Sequence, residues 1–178
     1  MSMPAERHPE TAAQHVDVLI AGAGISGIGS AYHLQQQCPD KRYVILEMQD
    51  DFGGTWKTHK YPGVRSDSDL YTFGYRFKPW IGAPIASAEE ILKYMGEVIE
   101  ENGIDEHIRY GHRIVRCNWS SDDNLWTVEA RRLADDTPVT FTCNFLWMCQ
   151  GYYDHEKPYI PDWKGMDDYR GLFVHAQL

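Results

Sequence analysis

The 178-residue chain has little of what defines several protein classes. No stretch approaches the ~18 consecutive apolar residues of a membrane-spanning helix. The polar start, Met1 to His15, lacks the apolar centre of a secretory leader, so a cytoplasmic protein without a membrane span is expected. The four cysteines, Cys38, Cys117, Cys143 and Cys149, show neither C-x-x-C spacing nor a His/Cys cluster. Reduced thiols are therefore expected, with no disulfide framework and no metal. Basic residues are scarce: 17 Lys and Arg stand against 26 Asp and Glu, a formal charge of −9. That balance argues against nucleic acid as the main partner, because phosphate contacts need clustered cations. An anionic small molecule must then be held by backbone N–H groups and a few local bases.

What is present is 43% hydrophobic residues and 15 glycines, the profile of a turn-rich α/β protein of ordinary domain size. Residues 1–15 read as a loose tail, with Pro4, Pro9 and little apolar content, and 16–178 as one domain. Residues 16–21 form a short apolar run of strand type. Ile28, Ala31, Tyr32 and Leu34 recur at helical spacing up to Cys38-Pro39-Asp40. Residues 43–47 predict a second strand ending on Glu47. This is a β-α-β unit of about thirty residues. Residues 48–82 show no clean periodicity. Ser87 and Glu90 have capping-box spacing ahead of the stripe Ile91, Leu92, Met95, Val98 and Ile99. Three strands follow, 114–119, 125–130 and 139–148, joined by polar turns as an antiparallel meander. The third turns continuously apolar over 145–149, which predicts burial on both faces and entry into the parallel sheet.

In Gly22-Ala23-Gly24-Ile25-Ser26-Gly27 the first glycine permits the strand-to-helix turn. The second admits a pyrophosphate to the backbone, and the third lets the helix pack on the strand. A helix N-terminus there offers free N–H groups and partial positive charge. Alone such a motif is weak. It gains force from the preceding strand, the following helix and Glu47, twenty residues beyond Gly27. Glu47 is expected to accept hydrogen bonds from ribose hydroxyls, and an acid there disfavours a 2′-phosphate, so FAD or NAD is expected over NADP. Gly53-Gly54-Thr55-Trp56 then lets the backbone pass close to a ligand, with Trp56 as a flat wall.

These motifs, with Arg65-Ser66-Asp67-Ser68-Asp69 after Tyr61-Pro62-Gly63-Val64, resemble the class B flavoprotein monooxygenases. Within them the chain is most similar to the Baeyer–Villiger type, including the mycobacterial thioamide-prodrug-activating monooxygenases. The resemblance runs from about Val16 to Leu178. It implies a Rossmann-like FAD-binding domain with a parallel sheet and an inserted β-meander, C-terminally truncated. Ser26, Glu47, Thr55, Trp56 and Asp67 correspond to FAD contacts, with Ile114 near the adenine and Arg65-Ser66-Asp67 bordering the nicotinamide side. Asp67 takes the place of an acid that orients a catalytic arginine far downstream, which this sequence does not contain. Tyr169-x-Gly171-x-x-x-His175 matches most of the Baeyer–Villiger fingerprint, with Tyr in place of Phe. Gln150 in Cys149-Gln150-Gly151 departs from the Thr or Ser usual before that glycine.

The implied reaction uses NADPH, O2 and a small organic substrate. Hydride passes to FAD, a C4a-peroxyflavin forms, and oxygen enters a ketone, sulfur or nitrogen centre. Trp56, Tyr61, Phe73, Tyr75, Phe77 and Trp80 are candidate apolar walls. No second G-x-G-x-x-G for NADPH is present, so the chain is expected to be an N-terminal portion that is inactive alone. Two alternatives stay open: another two-dinucleotide flavin oxidoreductase, and a non-catalytic FAD- or nucleotide-binding module.

Overall fold

The computed structural model describes residues 13–155 and 157–177; most of the stretch read as a tail lies outside them. Strand β1 (Gln14–Ala21) leads through the first glycine turn into helix α1 (Ile25–Gln37), and β2 (Tyr43–Leu46) completes the crossover. The strand starts two residues before the apolar run, at Gln14. Between 48 and 82, where no element was expected, two single-turn helices form, α2 (Thr55–Thr58) and α3 (Leu70–Phe73). One-turn helices leave no periodic trace in a sequence. Helix α4 (Ala88–Glu101) carries the complete capping box: Ser87 Oγ accepts from the Glu90 N–H, and Glu90 returns a carboxylate to the Ser87 N–H. Then come β3 (Ile108–Arg109), β4 (His112–Ser120), β5 (Leu125–Arg132) and β6 (Thr137–Met148).

The six strands form one mixed sheet in the order β3-β2-β1-β6-β5-β4. Pairing is parallel from β3 through β1 to β6 and antiparallel from β6 through β5 to β4. The long β6 belongs to both halves. Its first part, Thr137 to Cys143, pairs with β5, and its second, Phe141 to Met148, runs beside β1. Entry into the parallel sheet is as expected.

Burial on both faces is not. Phe145, Trp147 and Met148 are 55%, 36% and 52% exposed. The reason lies in the layers. Alternate residues of β1 and β2, including Val18, Ile20, Tyr43 and Ile45, pack under α1 and α4 with Ile28, Ala31, Ile91, Met95 and Val98. No β6 residue belongs to that cluster, so the helices leave Phe145 and Trp147, beside Val18 and Ile20, uncovered, while Met148 is on the other face beside Ala21, outside the core there. The opposite face holds a smaller core of Leu19, Val44, Leu46, Val128, Phe141 and Cys143. The meander turns close tightly, with Asn124 and Asp136 at φ 53° and 55°, a left-handed conformation these residue types tolerate. All four cysteines are free, as expected.

The junction of β1 and α1 is the tightest point. Gly22 has φ 102°, and a side chain on it would press on the Cys149 carbonyl. A Cβ on Gly27 would be driven into the Gly22 carbonyl oxygen. Backbone cannot swing aside as a flexible side chain does. Gly27→Ala is therefore expected to cost about 2–3 kcal/mol, against about 1 kcal/mol for loss of the α4 cap in Ser87→Ala. Urea unfolding of the two variants beside the parent chain checks the ranking.

Candidate functional site

The carboxyl ends of β1 and β2, the β6–Gly151 turn and the start of β4 surround a cavity of about 720 Å³. Gly22, Gly24, Ser26, Glu47, Gly54, Thr55, Trp56, Asp67 and Ile114 all line it. Nine of the residues singled out from sequence thus meet in one place. This is the crevice where open α/β sheets place their ligands.

Helix α1 points its N-terminus into the cavity. Its cap residue is Gly24, no side chain occupies the cap, and its first turn holds no acid. The orphan N–H groups and the helix dipole are therefore left to whatever enters. Facing them is the second glycine turn. A Cβ on Gly54, itself at φ 55°, would lie 3.3 Å from the Gly24 Cα, so the turns approach as bare backbone. The Gly53 N–H donates to the Ala23 carbonyl at 3.0 Å and holds them together.

Glu47 is 7% exposed, and both carboxylate oxygens are engaged. Oε2 accepts from the Ala23 N–H at 2.7 Å and Oε1 from the Gln49 N–H at 2.8 Å. Its main chain is also bound: its N–H donates to the Arg109 carbonyl and its carbonyl accepts from the His112 N–H. Glu47 therefore fastens the first glycine turn to the ends of β2 and β3 and the start of β4. The carboxylate's remaining lone pairs stay available to hydroxyl donors.

Gly27, Arg65 and Ser66 do not line the cavity. Gly27 acts through its close approach to Gly22. Arg65 is exposed and forms an isolated antiparallel bridge with Ser87. Ser66 is buried, its N–H donating to the Ala86 carbonyl and its Oγ accepting from the Ala86 N–H. It anchors the loop to the start of α4, while Asp67 and Ser68 face the cavity and Asp69 caps α3 by accepting from the Thr72 N–H.

Among the wall candidates, Trp56 and Phe73 line the cavity and meet edge to face at 5.9 Å. Tyr75 and Phe77 stack with one another and Tyr75 with Tyr94, while Phe77 also stacks on Tyr32 of α1. The Tyr75 hydroxyl donates to the Ile25 carbonyl at 2.7 Å, and burial raises its pKa. These aromatics brace the first turn of α1. Tyr61 is half exposed and outside the cavity lining.

Sequence reasoning did not single out Gln49, His112, Arg113, Tyr153 or His155, which also line the cavity. His155 sits beside His59 and Tyr153, and burial lowers its pKa. Gln150, which departs from the usual Thr or Ser, lines the cavity too. Gln49 was legible as the second residue past the acid ending β2. The rest arrive through turns that carry no motif.

Residues 20–80 match the family model of an NAD(P)-binding Rossmann-like domain. Over 165 residues, 92% of the chain, it is 49% identical to the FAD-containing monooxygenase EthA of Mycolicibacterium smegmatis. It is 44% identical over the same length to the probable FAD-binding monooxygenase AlmA of an Acinetobacter species. Among solved structures, OTEMO in complex with FAD and NADP superposes with a TM-score of 0.72 at 29% identity, covering 91% of this chain and 30% of that one. The relatives it matches are thus named FAD-containing or FAD-binding monooxygenases, and the solved structures that superpose on it include a steroid monooxygenase bound to NADP, at 26% identity and a TM-score of 0.68. The chain spans about a third of the length of the curated relatives it matches.

Removing the Glu47 carboxylate strands two backbone donors, one on the fully buried Ala23. Hydrogen bonds to a charged acceptor are worth about 1.5–3 kcal/mol each, so Glu47→Ala is expected to lose about 2–4 kcal/mol. A lowered denaturation midpoint without ligand checks it.

Proposed function

We propose that the chain is the FAD-binding portion of an NADPH-using monooxygenase of Baeyer–Villiger type, acting on small organic molecules with O2. The observation that carries the reading is the uncapped N-terminus of α1, opening onto a cavity between two glycine turns that meet as bare backbone. An acidic chain can bind an anionic dinucleotide there because the attraction comes from fixed backbone dipoles. The donors suit a pyrophosphate, and the buried acid suits a ribose, so the residues fit FAD.

In this reading Gly22, Gly24 and Ser26 cradle the pyrophosphate and Glu47 receives the ribose hydroxyls. Ile114 packs by the adenine. Gly54 and Thr55 pass beside the middle of the ligand. Trp56 and Phe73 wall the reactive end and exclude water, and Asp67 orients the group that completes the site. Arg65 and Ser66 hold that loop in place. FAD, when bound, supplies the hydride acceptance and oxygen activation; the protein supplies orientation and a dry surround. NADPH and the organic substrate need residues beyond those of this chain. The homology to monooxygenases favours this reading over the other flavin oxidoreductases, and a non-catalytic nucleotide-binding module is the second reading.

The 178-residue chain is therefore expected to take up FAD weakly and to show no NADPH-dependent oxidation of a ketone or thioether. Flavin absorption after FAD titration, followed by an NADPH consumption assay, tests both points. Steady turnover by this chain alone would overturn the assignment of NADPH and substrate sites to residues outside it.

A further inference from the structure

Helix α2 presents a physical problem. It is one turn long, fully buries none of its side chains, has only the part-buried Trp56 packed on the core, and takes as its N-cap Gly54, which offers no side-chain hydrogen bond. A single turn is unstable by itself, because nucleation fixes several dihedrals for one hydrogen bond. Yet α2 sets Gly54, Thr55 and Trp56 into the cavity. Something outside it must hold it.

A closed ring of hydrogen bonds does so. The Ala23 N–H donates to Glu47 Oε2 at 2.7 Å, and Glu47 Oε1 accepts from the Gln49 N–H at 2.8 Å. The Gln49 side-chain amide donates to Thr58 Oγ1 at 2.8 Å, and the Thr58 hydroxyl donates to the Gly54 carbonyl at 2.9 Å. The Gly53 N–H closes the ring on the Ala23 carbonyl at 3.0 Å. A second brace, Lys57 Nζ to Asp51 Oδ2 at 2.6 Å, is likewise part-buried. The Gln49–Thr58 link differs from it in running directly from the residue that Glu47 holds to the end of α2.

We propose that Gln49 and Thr58 are positioning residues for the ligand cavity. Through their side-chain hydrogen bond they lock the second glycine turn in register with the first, so that both face one dinucleotide. The inference rests on the FAD reading above. It extends that reading by making the adenosine-side acid and the flavin-side turn parts of one preorganised frame.

The test uses the 178-residue chain and the variants Gln49→Ala, Thr58→Val, Thr58→Ser and the Gln49→Ala/Thr58→Val pair. Hydrogen exchange without ligand reads the amides of Trp56, Lys57, Thr58 and His59, all bonded within this turn. One lost hydrogen bond corresponds to roughly a two- to tenfold change. Exchange there is expected to quicken by about fivefold in Gln49→Ala and Thr58→Val, with α4 and β1 unchanged. Thr58→Ser, which keeps the hydroxyl, restores protection. FAD titration by tryptophan quenching is expected to show weaker binding by a similar factor in the same two variants, and no further loss in the pair. Unchanged exchange at 56–59, or quickening spread evenly over α4 and β1, overturns the proposal, as does unchanged FAD affinity in both single variants. A parent chain with no saturable FAD signal overturns the dinucleotide reading, and the exchange pattern then judges the lock by itself.

Discussion

The absence of one carbon atom governs this fold. Where Gly27 carries hydrogen, the Gly22 carbonyl oxygen fills the space, and only that contact lets α1 start so close to the end of β1. From it follow the direction of the helix, its open N-terminus and the packing of Ile28 and Ala31 on Val18 and Ile20. The same turn leans on the far end of the chain, since the Cys149 N–H donates to the Ala21 carbonyl and its own carbonyl crowds Gly22. The site is thus made by backbone meeting backbone, and side chains serve largely to hold it there.

This explains how a protein of charge −9 offers a place to an anion. Long-range repulsion is weak across a Debye length of about 8 Å at physiological salt, whereas helix-terminal N–H groups act at contact. The buried acid of the site does not oppose them, because Glu47 spends its charge on Ala23 and Gln49. An ion of the ligand's own sign becomes the fastener of the turn that attracts it.

Much of this was legible in the sequence where a local rule had a local cause. The glycine spacing, the Ser87–Glu90 cap and the polar turns of the meander each depend on neighbours within a few residues, and the structure realises them. The Arg65–Asp69 stretch was read as one block, but the chain leaves Arg65 exposed on its bridge to Ser87, buries Ser66 against Ala86, turns Asp67 and Ser68 to the cavity and uses Asp69 as a cap. The exposure of Phe145 and Trp147 was not legible either. An apolar strand run shows that cover is suited to it, and does not show whether a helix lies above. The Gln49–Thr58 bond joins two polar side chains nine residues apart with no pattern between them.

The double membership of β6 also sets an order of events. His15 of β1 bonds Thr142 of β6 across 127 residues of chain. Closing so long a loop before gaining its contacts is slow, and folding rates fall as such non-local pairings come to dominate. The meander, made of adjacent hairpins, can assemble early, whereas β1 must wait for β6 to be laid down. The crevice at their carboxyl ends is therefore expected to be among the last parts of the molecule to take shape, although the motif that announces it lies near the beginning of the chain.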